Sequence, residues 1–332
     1  MIGIGCNLLF SRRSGNPGPP IPSFNPAMVD AWFMSGLSNA DKPDSIKGYK
    51  GNVLQLKNFA YALNSGFGEY AVDFTLWKGT GTTSDSVSII KEAGINQGFA
   101  LIGYNQMTSD IPSYSIKITG LNSGEILFYY RNSEGVEKQN SYTKDGVYTL
   151  PICYKEGTGG ISSGFTIKTT DKIIITQLPT AYEGALVFDG VDDYGICNNL
   201  PILTDYTVIC RRVIENDTNA VASKSTVANN GAFIFEYANN ATYSFSEYTF
   251  GLNMNLKDSV SYQTKNSYNG SVIKVGPASD TDTLTLGILR EKDSRLLKGA
   301  IYYFALYDKS LAPEEIEEEK VKLNEEWMKR KN

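Results

Sequence analysis

Runs of alternating apolar and polar residues, separated by turn formers, occupy most of this chain, and that period predicts strands. Between residues 72 and 178 the runs are 87–90, 99–104, 114–118, 126–130, 147–152, 165–169 and 172–176. Their connectors carry Asn122, Gly124, Glu134-Gly135, Asp145-Gly146 and the glycines of 157–160, which tolerate positive φ or bond their own backbone. Seven short strands at this spacing predict one antiparallel sandwich. Leu178-Pro179-Thr180-Ala181 marks its end, because proline cannot continue a central strand. A second set then begins at residues 185–188. Phe250, Leu252 and Met254 alternate with Thr249, Gly251, Asn253 and Asn255, and Leu284, Leu286 and Ile288 alternate with Thr283, Thr285 and Gly287. Residues 300–307 are apolar throughout, as in a strand buried on both faces, and Asn269-Gly270 is a hairpin signal.

Two helices are predicted. Asn25 as cap, Pro26 at the first helical position and Met28, Val29, Trp32 and Phe33 before Gly36 read as a short helix. The chain closes with a longer one from Pro313 to about Lys331, with glutamates at its start, Lys329, Arg330 and Lys331 at its end, and a narrow stripe of Ile316, Leu323 and Trp327. Leu54 and Leu56 alternate with Gln55 and Lys57 as a short strand. The expected organisation is all-β: a Gly/Pro-rich arm (1–25), a collar with a short helix (26–71), a first sandwich (72–179), and a second sandwich with the terminal helix (180–332). The arm reads either as a docking tether or as a disordered leader, and the collar as a spacer or a multimer contact.

Composition narrows the partners. The net charge of −5 and the sequence pI near 5.1, with no dense Lys/Arg cluster, provide no footprint for a phosphate backbone, so no nucleic-acid partner is expected. No stretch approaches the roughly 20 apolar residues of a spanning helix, and Ile2, Ile4, Leu8, Leu9 and Phe10 are too broken by glycine for an export signal. Cys6, Cys153, Cys197 and Cys210 have no C-x-x-C spacing and read as free thiols made in a reducing cytoplasm.

The string Ala185-Leu186-Val187-Phe188-Asp189-Gly190-Val191-Asp192-Asp193-Tyr194, followed by Thr204-Asp205-Tyr206-Thr207-Val208, resembles the opening of laminin-G or concanavalin-like jelly rolls. The closing stretch 299–311 with Pro313, Glu314, Glu315 and Ile316 resembles that family's last strand and short helix. Two departures are Ala312, where the family prefers a Ser or Thr cap, and Arg211-Arg212, where an aromatic core residue is common. The stretches Asn25-Pro26-Ala27-Met28-Val29-Asp30-Ala31-Trp32 and Asn58-Phe59-Ala60-Tyr61 resemble the leader of proteins encoded by gut Bacteroidales bacteria and their phages. That resemblance implies a virion decoration, fibre or appendage. Ile4, Phe10, Pro19, Pro20, Trp32 and Phe33 are then the expected anchoring or oligomer contacts, the arm meeting other virion proteins.

The chain has no histidine, which removes Ser-His-Asp and Cys-His catalysis, His-ligated zinc and imidazole bases. A carboxylate pair is what remains for hydrolysis, and the Glu-x-Asp-x-x-Glu string of concanavalin-like glycosidases does not occur. Asp189, Asp192 and Asp193 offer hard oxygen ligands for calcium, with Asp280 and Asp282 a weaker version; a tight Asp189-Gly190 turn solvated by the other two is the preferred reading. No other cofactor is expected. Phe233, Phe235 and Tyr237 fit a sandwich core, while Tyr243 and Tyr248, in a stretch rich in Asn and Ser, are the candidates for stacking on a glycan. The expected protein is a non-enzymatic, oligomeric (dimeric or trimeric) virion-surface component displaying a lectin-like domain toward host glycans. The rival is a polysaccharide-acting enzyme or a secreted glycan-binding protein.

Overall fold

A computed structural model describes residues 23–155, 161–216, 218–225, 233–239, 242–244, 256–272, 279, 281–290 and 295–331. Four short strands come first: β1 (Met28–Phe33), β2 (Ser45–Lys47), β3 (Val53–Lys57) and β4 (Gly66–Glu69). Nine strands follow: β5 (Thr83–Ser84), β6 (Ser88–Lys91), β7 (Gln97–Gly103), β8 (Tyr114–Thr119), β9 (Glu125–Arg131), β10 (Glu137–Tyr142), β11 (Gly146–Leu150), β12 (Ile161–Lys168) and β13 (Ile173–Gln177). The last group is β14 (Ala181–Asp189), β15 (Tyr194–Cys197), β16 (Thr207–Ile214), β17 (Thr218–Ser223), β18 (Ile234–Asn239), β19 (Thr242–Ser244), β20 (Ser259–Thr264), β21 (Ser267–Tyr268), β22 (Ser271–Val272), β23 (Leu284–Leu286) and β24 (Lys298–Tyr307), and α1 (Pro313–Lys331) ends the chain.

The two expected sandwiches and the terminal helix are present, but the sandwiches are nested. One sheet of the main sandwich runs β22-β21-β20-β16-β24-β14-β4, with β1 also on β24; the other runs β19-β18-β17-β23-β15-β3-β2. Residues 26–71 are therefore no collar: β1, β3 and β4 are built into the sheets formed by strands from β14 onward. Leu54, Leu56, Leu186, Phe188, Val208, Phe235, Leu286 and Phe304 fill the space between those sheets. The inserted sandwich, a four-stranded sheet (β10-β9-β12-β7) on a five-stranded one (β11-β8-β13-β6-β5), has its own core of Ile89, Ile116, Ile118, Phe128, Phe165 and Ile175.

The expected helix at residues 26–35 is the strand β1 instead. Asn25 still organises the entry, accepting from Ala27 N through Oδ1 (3.0 Å) and from Met28 N through its carbonyl (2.9 Å), but as a turn. The strand is buried on both faces: Trp32 points between the sheets, and Met28, Ala31 and Phe33 lie under α1. An apolar run buried on two sides has the same residue pattern as a buried helix, and partner strands decide between them. This also corrects the assignment of Trp32 and Phe33 as anchoring contacts, since they are 0% and 1% exposed inside their own fold. Asp30, fully buried beside them, accepts from Ala31 N, Lys50 N, Asn52 N and Asn52 Nδ2 at 2.7–2.8 Å and so fixes the β2–β3 turn.

α1 matches its expected bounds. Ile316, Leu323 and Trp327 pack on the outer face of the sheet against Ala185, Val187, Ile209, Ala300 and Tyr303. The Asn269-Gly270 turn joins β21 to β22 with φ of 44° and 82°, the positive pair a two-residue hairpin requires.

Candidate functional site

The acidic corner comes first. Asp189 ends β14 in one sheet and Tyr194 opens β15 in the other, so residues 190–193 turn the chain between layers. Asp189 Oδ1 accepts from Val191 N (2.8 Å) and more weakly from Asp192 N (3.4 Å), and Asp193 Oδ2 accepts from Asp189 N (3.1 Å). The expected tight turn is there. The structure also gathers the three carboxylates, each offering one oxygen within 4.8 Å of the others. Asp192 is exposed, whereas Asp193 is 1% exposed and its Oδ1 has no hydrogen-bond partner. Burial, reinforced by the Asp189 and Asp192 charges, pushes the Asp193 carboxyl up to about 7. These three are the residues that could hold a hard cation. Of the weaker pair, Asp282 bonds Thr283 Oγ1 (3.2 Å), and Asp280 lies outside the described residues.

A second polar cluster, absent from the sequence reading, lies across neighbouring strands of the same sheet. Glu69 (β4), Tyr182 (β14), Glu215 (just after β16) and Lys298 (β24) line a cavity of about 80 Å³ with Asn64. Tyr182 donates to Glu215, Lys298 Nζ is 3.6 Å from Glu215 Oε2, and burial together with the Glu215 charge raises the Glu69 carboxyl. It is a carboxylate pair, in a space about half that of the ~150 Å³ cavity that accepts a benzene ring.

A third cluster is internal. Arg212 on β16 and Glu236 on β18 are fully buried and form a two-pronged ion pair across the main sandwich. Ser259, Ser261 and Tyr268 complete their hydrogen bonds. Every partner belongs to the fold, so this pair holds the two sheets in register.

No family model matches the chain, and no curated protein matches it. Among solved structures it is similar to a variant of a GH54 α-L-arabinofuranosidase soaked with 4-nitrophenyl α-L-arabinofuranoside. Identity is 8% and the TM-score 0.27, over 64% of this chain and 62% of that one, so the match spans less than two thirds of that enzyme.

The remaining candidates fall as follows. Ile4, Phe10, Pro19 and Pro20 lie outside the described residues, as do Tyr248 and the side chain of Tyr243; the backbone of Tyr243 pairs with Ala238 in β19. Phe233 and Phe235 are core residues, as expected. Cys153, Cys197 and Cys210 are buried free thiols. Among the described residues no helix is long and apolar enough to cross a membrane.

The neck between the sandwiches is the other feature the sequence did not announce. Gln177, 1% exposed, accepts from Ala71 N (2.9 Å) and Val72 N (3.1 Å) and donates to Val72 O (2.9 Å). Thr180 N donates to Glu69 O (2.8 Å), so the outgoing and returning strands are buckled together. Beside them a cleft of about 160 Å³ is lined by Leu63 of the main sandwich and by Val72, Asp73, Trp77, Gln106, Asp110 and neighbours of the inserted one.

Proposed function

We propose that the protein is a non-catalytic display component of a phage virion surface: the N-terminal arm anchors it, a laminin-G-type sandwich forms the base, and the inserted sandwich is carried outward. The observation that carries this reading is where the arm and the insertion leave the base. Asn25, at the end of the arm, bonds Glu315 (3.1 Å) and Glu319 (3.1 Å) near the start of α1. The insertion leaves through the Glu69–Ala181 pair, and the returning strand meets the far end of α1, where Trp327 Nε1 donates to Gly184 O (2.8 Å) and Lys331 pairs with Glu183 (2.8 Å). From Glu319 to Lys331 the helix advances about 18 Å at 1.5 Å per residue. That separation supports a reading in which the arm anchors the chain and the inserted domain is displayed.

The non-catalytic part is supported by the lack of histidine and by the small space between Glu69 and Glu215. Host glycans are the expected targets, and copies held together on a particle would multiply weak contacts. The test is to purify particles from an infected or induced host and probe them for the chain, with a variant lacking residues 1–22 alongside. The full chain is expected on particles and the truncated one free but folded. A full chain found only in the soluble fraction would overturn the proposal, as would polysaccharide digestion abolished by Glu69→Gln or Glu215→Gln.

A further inference from the structure

We propose that the cleft at the neck of the inserted sandwich binds a single pyranose ring, as a free sugar or as the end of a glycan chain. Its volume, about 160 Å³, is close to the ~150 Å³ that accepts a six-membered benzene ring and is too small for two linked sugars. Its floor is apolar and buried: Val72, Met107 and Ile111 are 6%, 3% and 6% exposed. Two leucines stand exposed at its mouth, Leu63 at 43% and Leu76 at 44%, where the C–H face of a sugar would rest.

The polar groups are those a ring of hydroxyls requires. Trp77 is 2% exposed, and its Nε1 donor is buried without a partner. Its ring is held edge-on to Phe74 (5.1 Å between centroids) and against Phe165 (5.6 Å), so the donor is fixed before any ligand arrives. Buried donors are almost always satisfied, and this one belongs to a residue that lines the cleft, so a hydroxyl pressed against that wall is the acceptor proposed for it. On the rim, the exposed Gln106 accepts from Gly103 N through Oε1 (3.0 Å), and its amide N–H groups remain as donors. Asp110 and Asp73 each use Oδ1 locally, on Lys155 N (2.8 Å) and Thr75 N (2.9 Å), leaving a second oxygen to accept a hydroxyl. Fixed donors, free carboxylate oxygens and an apolar floor together fit a polyhydroxylated ring better than a hydrocarbon or an ion.

This names a ligand class for the displayed sandwich and rests on the display reading for its setting. The two fail separately, because binding is measured on the purified full chain without particles. Saturation-transfer NMR with free glucose, galactose, mannose and N-acetylglucosamine, and with their methyl pyranosides, at ~10 mM would detect the millimolar Kd expected of one ring. Saturation transfer to at least one of them is expected. Trp77→Phe, which keeps an aromatic ring in the lining and removes the donor, should weaken binding about tenfold. Gln106→Ala, an exposed change that leaves the core alone, should weaken it less. Binding of the methyl pyranosides assigns the site to chain ends, and binding of free sugars alone assigns it to a small metabolite. No transfer to any of the eight sugars, or transfer unchanged in both variants with native circular dichroism, overturns the proposal.

Discussion

At the residue scale, Asp193 makes stability depend on pH in an unusual direction. Its carboxyl titrates near 3.8 when unfolded and near 7 in the fold, so between those values the folded chain holds the extra proton. Stability is then greatest below the unfolded value, falls as pH rises through this window and levels off above about 7; the whole displacement corresponds to about 4 kcal/mol at most. Asp193→Asn, measured in EDTA so that no cation neutralises the corner, should melt higher than the parent at pH 8 and close to it at pH 4. A lower melting temperature at pH 8 would contradict the shift. The Arg212–Glu236 pair behaves differently. Removing one charge, as in Arg212→Leu, strands the other in the core and should cost about 3–5 kcal/mol in urea unfolding, whereas replacing both by apolar residues should recover most of it. Equal losses in the single and double variants would show that packing, not charge, is what matters. Arg212 was visible in the sequence as a departure from the laminin-G-like pattern, which commonly has an aromatic core residue there. Its partner was not, because Glu236 lies on the opposite layer in a stretch that reads as aromatic core.

At the scale of elements, legibility followed how local the determining forces are. α1 was readable end to end, since proline, charge order and stripe all act within one helix. The seven expected strands of the inserted sandwich are present; β5 was missed because it is only two residues long, and β10 because Glu137–Tyr142 is polar along nearly all its length. It forms through its main-chain ladder with β9 at a sheet edge. β1 was misread because only β24 tells its doubly buried run that it is a strand. Docking of α1 can be tested at Gly184, whose φ is +78° and where a Cβ would come within 2.9 Å of the Trp327 ring. Gly184→Ala should lower the melting temperature through both strain and displaced helix. An unchanged value would mean that Trp327 is free to move.

At the scale of the whole molecule, the nesting was illegible because neighbouring segments in a chain usually pair with each other, whereas β1 waits for β24. The separate cores predict that each sandwich folds without the other. With residues 72–178 replaced by a short Gly/Ser linker, the remainder should unfold in urea as one cooperative transition, because Glu69 and Ala181 are already paired. Loss of that transition would show the base to depend on its insert. The central position of β24 also bears on synthesis. Ala31 must find Ala305, so a ribosome releases β1 long before the strand it pairs with exists. The insert, complete by Gln177 and with a core of its own, can close while its host is half made.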